Sequence, residues 1–317
     1  MINRKNFIVP VFLLIGLVQG VFGQQDAQFT QYMYNTMSVN PAYAGSRGQF
    51  SAAALYRAQW VGLEGGPKTQ TLNLHSPIRN SKLGYGVSIF NDQIGDGAVQ
   101  ETYIDGVISY TIDVSLEGKL SFGLKVGGNL LNLDLESLSK KDPEFVAGDN
   151  IENKFAPNFG LGVYYHSNKF YAGLSAPNLV ETEYFDRSGN DANAVNFLSK
   201  ERINFYLITG YVIDLNNNFK FKPALLTKMV GGAPLQVDVS ANFMYNDKFT
   251  FGLAYRWDAA LSAMVGFQIS DQFMLGLAYD RETTALGGTQ FNDGSFEFFL
   301  RFELAKSFQK LVSPRFF

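Results

Sequence analysis

Over most of its length this chain alternates apolar and polar residues one by one, in runs about as long as a bilayer is thick. Leu235, Val237, Val239, Ala241, Phe243 and Tyr245 alternate with Gln236, Asp238, Ser240 and Asn242. Phe249, Phe251, Leu253, Tyr255 and Trp257 alternate with Lys248, Thr250, Gly252, Ala254 and Arg256. The last run sets Phe296, Phe298, Leu300, Phe302 and Leu304 against Glu297, Arg301 and Glu303. A period of two turns one face of a strand to an apolar medium and the other to a polar one. Runs of about ten residues cross a bilayer at a tilt. Fourteen are read, at 49–60, 68–76, 83–91, 98–113, 119–133, 156–167, 169–176, 200–214, 218–229, 234–246, 248–258, 261–270, 272–281 and 294–304. An even count is what a single-chain bacterial barrel requires when both termini lie on one side.

The connections sort by length. With the start of the chain in the periplasm, the turns Pro77 to Lys82, Asp113 to Gly118, Ser167 to Lys169, Asp214 to Asn218, Asn246 to Lys248 and Ser270 to Gln272 all fall on the periplasmic side, and all are short. The three long connections, 134–155, 177–199 and 281–293, fall on the other side. Short turns on one side and long loops on the other mark an outer-membrane barrel, and a soluble β-sandwich has no reason to sort them so. Tyr56, Trp60, Tyr110, Tyr165, Tyr211, Tyr245, Tyr255, Trp257 and Tyr279 lie towards strand ends, where interfacial girdles form. The expected fold is all-β: a transmembrane antiparallel barrel of about fourteen strands over 49–304, whose direct surroundings are outer-membrane lipid.

Charged residues make up only 17% of the chain and aromatics 15%, where soluble proteins carry about a quarter charged residues. The net charge of −3 offers no basic face for nucleic acid. Zero cysteines rule out disulfides and thiolate metal sites. Asn3-Arg4-Lys5-Asn6, the apolar stretch Phe7 to Val21 and small Gly23 read as a signal peptide over 1–23, cleaved before Gln24. That apolar stretch is shorter than the roughly 18 residues of a spanning helix. No later segment is long and apolar enough for one, so a membrane-embedded mature chain must be a closed barrel.

Between signal and strands lies 24–48, which is aromatic without strict alternation. Tyr32 to Met37 suits one or two helical turns, and Asn40-Pro41 stops them because the residue before proline is pushed out of the α region. Pro41-Ala42-Tyr43-Ala44-Gly45 is compact, with a glycine available for positive φ. An ordered plug packed on or inside the barrel is expected. The blocks built from Gln28, Phe29, Gln31, Tyr32, Tyr34 and Asn35, then Asn40, Pro41, Ala42, Tyr43 and Gly45, closely resemble the mature N-terminus of the PorP/SprF family. These are outer-membrane proteins tied to type IX secretion and gliding in Bacteroidota. The resemblance implies a non-enzymatic platform that binds, anchors or assists export of a large secreted partner bearing a C-terminal signal domain. It also implies contact with other type IX or cell-wall-linked periplasmic components. Such a partner would dock through loops 134–155, 177–199 and 281–293. The alternative is an outer-membrane transporter or porin for small hydrophobic or other solutes, since Asn40-Pro41-Ala42 also resembles the N-terminal hatch of the long-chain fatty-acid transporter family.

Nothing in the chain reads as a catalytic, cofactor or metal site. His75 and His166 are isolated in strand pattern, without the placed partners that acid–base chemistry or zinc needs. Asn91, Asp92, Asp96 and Gly97 miss calcium-loop spacing and read as a solvated turn. Gly65-Gly66-Pro67 and Gly231 to Pro234 read as hairpin ends, and Lys140 to Glu144 as an exposed loop tip. Arg57, Asp105, Lys125, Arg202, Lys220, Lys222, Lys228, Asp238, Asp280, Glu297, Arg301 and Glu303 fall on inward positions, so a lumen crossed by salt bridges is expected. The tail 305–317 ends on Phe317, which resembles a barrel-assembly signal. Pro314 interrupts the tail, so the signal is displaced from the last run or the tail pairs elsewhere.

Overall fold

Each alternating run becomes a strand. The computed structural model describes residues 29–134, 136–137, 150–182, 202–289 and 292–304. The predicted signal peptide, Gln28, the C-terminal tail with Phe317, and most of loops 134–155 and 177–199 lie outside the described residues. The strands are β1 (Ser51–Ala58), β2 (Lys68–Pro77), β3 (Leu83–Ile94), β4 (Val99–Asp113), β5 (Lys119–Leu133), β6 (Ile151–His166), β7 (Phe170–Ala176), β8 (Asn204–Tyr211), β9 (Ile213–Asp214), β10 (Phe219–Val230), β11 (Gln236–Tyr245), β12 (Phe249–Arg256), β13 (Ala260–Gln268), β14 (Phe273–Glu282) and β15 (Ser295–Glu303). β8 and β9 are two pieces of one barrel strand, parted at Val212, whose N–H donates to the Lys169 carbonyl just beyond the end of β7. The barrel therefore has fourteen strands. Every neighbour is antiparallel, and β1 pairs with β15 to close the sheet, Ser51 opposite Glu303 and Ala58 opposite Phe296. Closure leaves no unpaired edge to face lipid, which is what permits strands in hydrocarbon.

Alternation sorts the two faces. Val87, Ile108, Leu124, Leu161, Leu253, Val265 and Leu277 stand exposed on the outside, as a lipid-facing band requires. Tyr56, Tyr110, Tyr211, Tyr255 and Trp257 are exposed near strand ends. No helix among the described residues is long and apolar enough to cross a membrane. The protein is an outer-membrane β-barrel.

Strand bounds differ in places from the sequence reading: β3 runs on to Ile94 rather than 91, which puts Asn91 and Asp92 in a strand rather than a turn, and β8 starts at Asn204 rather than 200. β6 starts at Ile151 rather than 156, because Glu152, Asn153 and Lys154 are exposed and break the period. A register shift between Leu131 and Leu133 accommodates them. β7, by contrast, stops at Ala176, and β3 to β6 rise above it as a tall wall of 12, 15, 15 and 16 residues. Pro177 has no N–H to continue the ladder, and the chain turns inward there. Asn158 holds it, accepting from the N–H groups of Leu179 and Val180 and donating to the Val180 carbonyl.

Candidate functional site

Residues 29–48 lie inside the barrel. Short-range hydrogen bonds fold the segment: Tyr34 N–H to the Gln31 carbonyl, a helical turn at Thr36–Val39, and a 3-10 turn at Pro41–Tyr43. Asn40 is extended, as a residue before proline must be. Its side-chain oxygen caps the turn by accepting from the Ala42 N–H at 3.0 Å, and Pro41 takes the first helical position, where its missing N–H costs nothing. Gly45 has φ +76°, open to glycine at no steric cost, and its N–H donates to His75 Nδ1 at 3.2 Å.

The wall is shaped to receive this segment. One cross-strand row runs Pro77, Gly84, Ser109, Gly123, Gly162, Ser175 from β2 to β7, each residue directly opposite the next. The row is small throughout, and Val39 to Gly45 lie along it. Ser175 Oγ donates to the Val39 carbonyl and Ser109 Oγ to the Ala44 carbonyl, both at 2.6 Å. Asn40 Nδ2 donates to the Val163 carbonyl at 3.0 Å. A side chain on Gly123 would run into the backbone of Pro41 and Ala42, and one on Gly162 into the Asn40 amide. A Cβ on Gly84 would stand 2.6 Å from the Ala44 carbonyl oxygen. Tyr43 then wedges between His75 and Tyr164, edge-on to both at 5.6 and 5.5 Å.

The other end of the segment is tied to β14, β15 and β1, which adjoin the row at β2. Thr30 and Gln31 N–H groups donate to the Glu297 carboxylate at 3.0 and 2.8 Å, and Thr30 Oγ1 donates to Asp280. Arg57 bridges both acids, 2.6 Å from Asp280 and 3.2 Å from Glu297. All of these groups are buried. Between the two ends, Asn35 Nδ2 donates to Thr71 Oγ1 at 3.0 Å, Asn73 donates to Asn35 and Ser38, and Tyr34 stacks on Phe299 at 5.2 Å. Tyr32, Met33 and Met37 fill the axis against Leu55, Ile208, Leu226 and Met264. Burying each such side chain stabilises the seat by about 1.5–3 kcal/mol. Burial pushes the Tyr34 phenol up to about 12 and the Tyr32 phenol higher, so both enter the lumen as neutral groups. At the periplasmic mouth Arg47 pairs with Glu303 at 2.6 Å.

The segment fills the periplasmic half and leaves the outward half open. Above it is a cavity of about 430 Å³. Phe29, Tyr32 and Val39 form its floor, and the upper inward faces of β3, β4, β5, β8, β10, β11 and β12 form its walls. Asp105 and Lys125 pair across β4 and β5 at 2.9 Å, and Lys125 also reaches Asn178. Asp238 and Arg256 pair across β11 and β12, also at 2.9 Å.

Of the N-terminal motif residues, Phe29, Gln31, Tyr32, Tyr34, Asn35, Asn40, Pro41, Ala42 and Tyr43 are all buried in the lumen, and Gly45 sits half-buried at the periplasmic end. Of the inward charges, Arg57, Asp280 and Glu297 meet at Thr30, and Arg301 and Glu303 lie near Arg47, while Asp105, Lys125, Lys228 and Asp238 line the cavity. Arg202 is half-buried at the cavity rim. Lys220 faces the periplasmic turns, where it pairs with Asp247. His75 serves the segment as an acceptor. Sequence reasoning missed Thr30, Arg47 and the small-residue row. Its signal was present: glycine or serine recurs at inward positions of 83–91, 98–113, 119–133, 156–167 and 169–176, at spacings that align only once the register is known.

A family model described as "Type IX secretion system membrane protein PorP/SprF" matches residues 21–302. Among solved structures, the chain is similar to the Acinetobacter baumannii outer membrane protein Omp33, at 8% identity over 81% of this chain and 98% of that one, with a TM-score of 0.48. It is similar to a Pseudomonas aeruginosa FadL homologue at 12% identity over 84% and 93%, TM-score 0.47. A mutant of the TodX monoaromatic hydrocarbon channel follows at 10% over 85% and 94%, TM-score 0.49. No curated protein sequence matches the chain.

Proposed function

The chain belongs to the PorP/SprF family of type IX secretion system membrane proteins, and on that premise we propose that it is a closed anchoring platform rather than a conduit. In this reading the barrel holds a large secreted partner, one bearing a C-terminal signal domain, at the outer face of the membrane. The long loops 134–155, 177–199 and 281–293 and the outward cavity make the contact. The short periplasmic turns and the mouth around Arg47 are left for periplasmic components of the same machinery. Gliding follows where the retained partner is an adhesin. The processed chain starts at Gln24, residues 24–48 act as the plug, and Phe317 serves barrel assembly.

The observation that carries the reading is the seat of the plug. Hydrogen bonds at Thr30, Asn40, Ala44 and Gly45, and a wall row emptied of side chains to receive Val39 to Gly45, tie the segment to the wall at both ends. Such a stopper suits a protein whose work is done on its surfaces. The test is affinity purification of the native protein in detergent, followed by mass spectrometry. Co-purification of a large protein with a type IX signal domain, lost when the three long loops are shortened together, supports the platform. Recovery of the barrel alone from cells that secrete such proteins, together with solute flux through the intact barrel in liposomes, favours the transporter.

A further inference from the structure

We propose that the outward cavity is a binding pocket for a neutral saccharide, the terminal units of a surface or free glycan entering from outside. The inference does not depend on partner retention. The cavity is blind, because the plug floors it, and its volume of about 430 Å³ is that of a small-ligand site. Its chemistry narrows the ligand. Its walls mix both signs: the buried acids hold cations, Asp105 with Lys125 and Asp238 with Arg256 on nearly opposite sides of the barrel, and Asp92, Glu101 and Asp258 are set against Arg202 and Lys228. A strongly charged ligand would compete with these pairs. A purely apolar ligand would strip water from them without replacing its hydrogen bonds. A peptide satisfies its alternating backbone groups best along a free strand edge, and β4, β5, β11 and β12 are each paired on both sides.

A pyranose fits what remains. Each hydroxyl both donates and accepts, so vicinal hydroxyls can bridge a carboxylate and the cation beside it. The C–H faces of the ring can lie on aromatic groups, which Phe90 and Tyr103 supply on one wall and Tyr206 on the other. Asn178 and Gln236 add amides at the cavity margin.

Titrating the detergent-solubilised protein with maltotriose, cellotriose and triacetylchitotriose by isothermal calorimetry should give saturable heats for at least one sugar at or below about 1 mM. The double variant Asp238→Asn, Arg256→Gln preserves shape and neutrality, and should weaken that sugar about tenfold or more through lost charge-assisted hydrogen bonds. Gln236→Trp, which narrows the cavity at its margin and removes the bond from Gln236 to Asp238, should weaken that sugar about tenfold or more. Three results would each overturn the assignment: no response to any of the three sugars, full binding retained by Gln236→Trp, or a basic or acidic peptide binding more tightly than every sugar.

Discussion

The two halves of the lumen are walled by the same strands and filled in opposite ways. Below, the inward positions of β3 to β7 shrink to glycine and serine, and backbone from the N-terminal segment takes the space their side chains would have used. Above, the inward positions of β4, β5, β11 and β12 carry acids, bases and a tyrosine, and the space between them is left open. Polar groups below are spent on holding a piece of the same chain. Polar groups above are paired within the wall and border open space. A barrel that conducted would need one continuous path, whereas here the N-terminal segment divides the lumen into a filled base and an open mouth.

The base should break most sharply at the row of small residues. Gly123→Val places a side chain where the Pro41–Ala42 backbone runs, and neither neighbour is a flexible tip that can swing aside. Overpacking usually costs about 1–3 kcal/mol. Here the clash is backbone against wall, so a loss at or above the top of that range is expected. It should appear as a lower unfolding midpoint in detergent, new conductance in planar bilayers, and protease access to residues 29–48. Gly106→Ala is the control, an added Cβ meeting nothing closer than the Val126 carbonyl at 3.7 Å. It should leave conductance at the wild-type level and stability within about 0.5 kcal/mol.

The upper tie of the plug is the next most sensitive point. Glu297→Ala removes the acceptor of two N–H groups and one of the two acids on Arg57. Breaking a buried ion pair from one side costs about 3–5 kcal/mol. Asp280 still holds Arg57 at 2.6 Å, so the lower end, about 3 kcal/mol, is expected. The plug should loosen at Thr30 while Asn40 to Gly45 stay seated, which hydrogen exchange resolved along 29–48 would display as protection lost at one end only. Uniform loss would mean that the segment seats as one cooperative unit.

Asn40→Ala is a smaller perturbation within the seat. It removes a cap on the 3-10 turn and one bond to the wall, and cap losses run at about 1 kcal/mol. The Val163 carbonyl still has ladder geometry available, so a fall of about 1–2 kcal/mol without conductance is expected. Conductance comparable to that of Gly123→Val would show that the amide, rather than the empty row, governs seating.

Strand number, most strand bounds and the inward charges were legible because each depends on local alternation, and a bilayer reads alternation one strand at a time. The N-terminal motif was legible as ordered, through Asn40-Pro41 and its aromatics. Its seat was not. Gly84, Gly123 and Gly162 are far apart in sequence and become one row only through the register of three ladders. Thr30 gives no signal of its own, because its partners Asp280 and Glu297 lie about 250 residues away and nothing in local pattern links them. The early start of β6 was hidden because 152–154 stand clear of the band in which alternation is enforced.

The periplasmic turns supply the baseline against which both halves are measured. Lys169 and Asp214 form an ion pair at 2.7 Å, shorter than several inside the lumen, yet each side chain is about half exposed. Distance alone would rank this pair beside Arg57–Asp280. Solvent ranks it far lower, because water screens the attraction and two long side chains lose freedom to hold it. Lys169→Ala should therefore leave stability essentially unchanged, and raising salt should erase whatever small effect there is. The destabilisation of Glu297→Ala should persist at the same salt, since its groups are buried and little screened. If the two variants shared one salt dependence, water would reach the Thr30 cluster and the base would not be sealed.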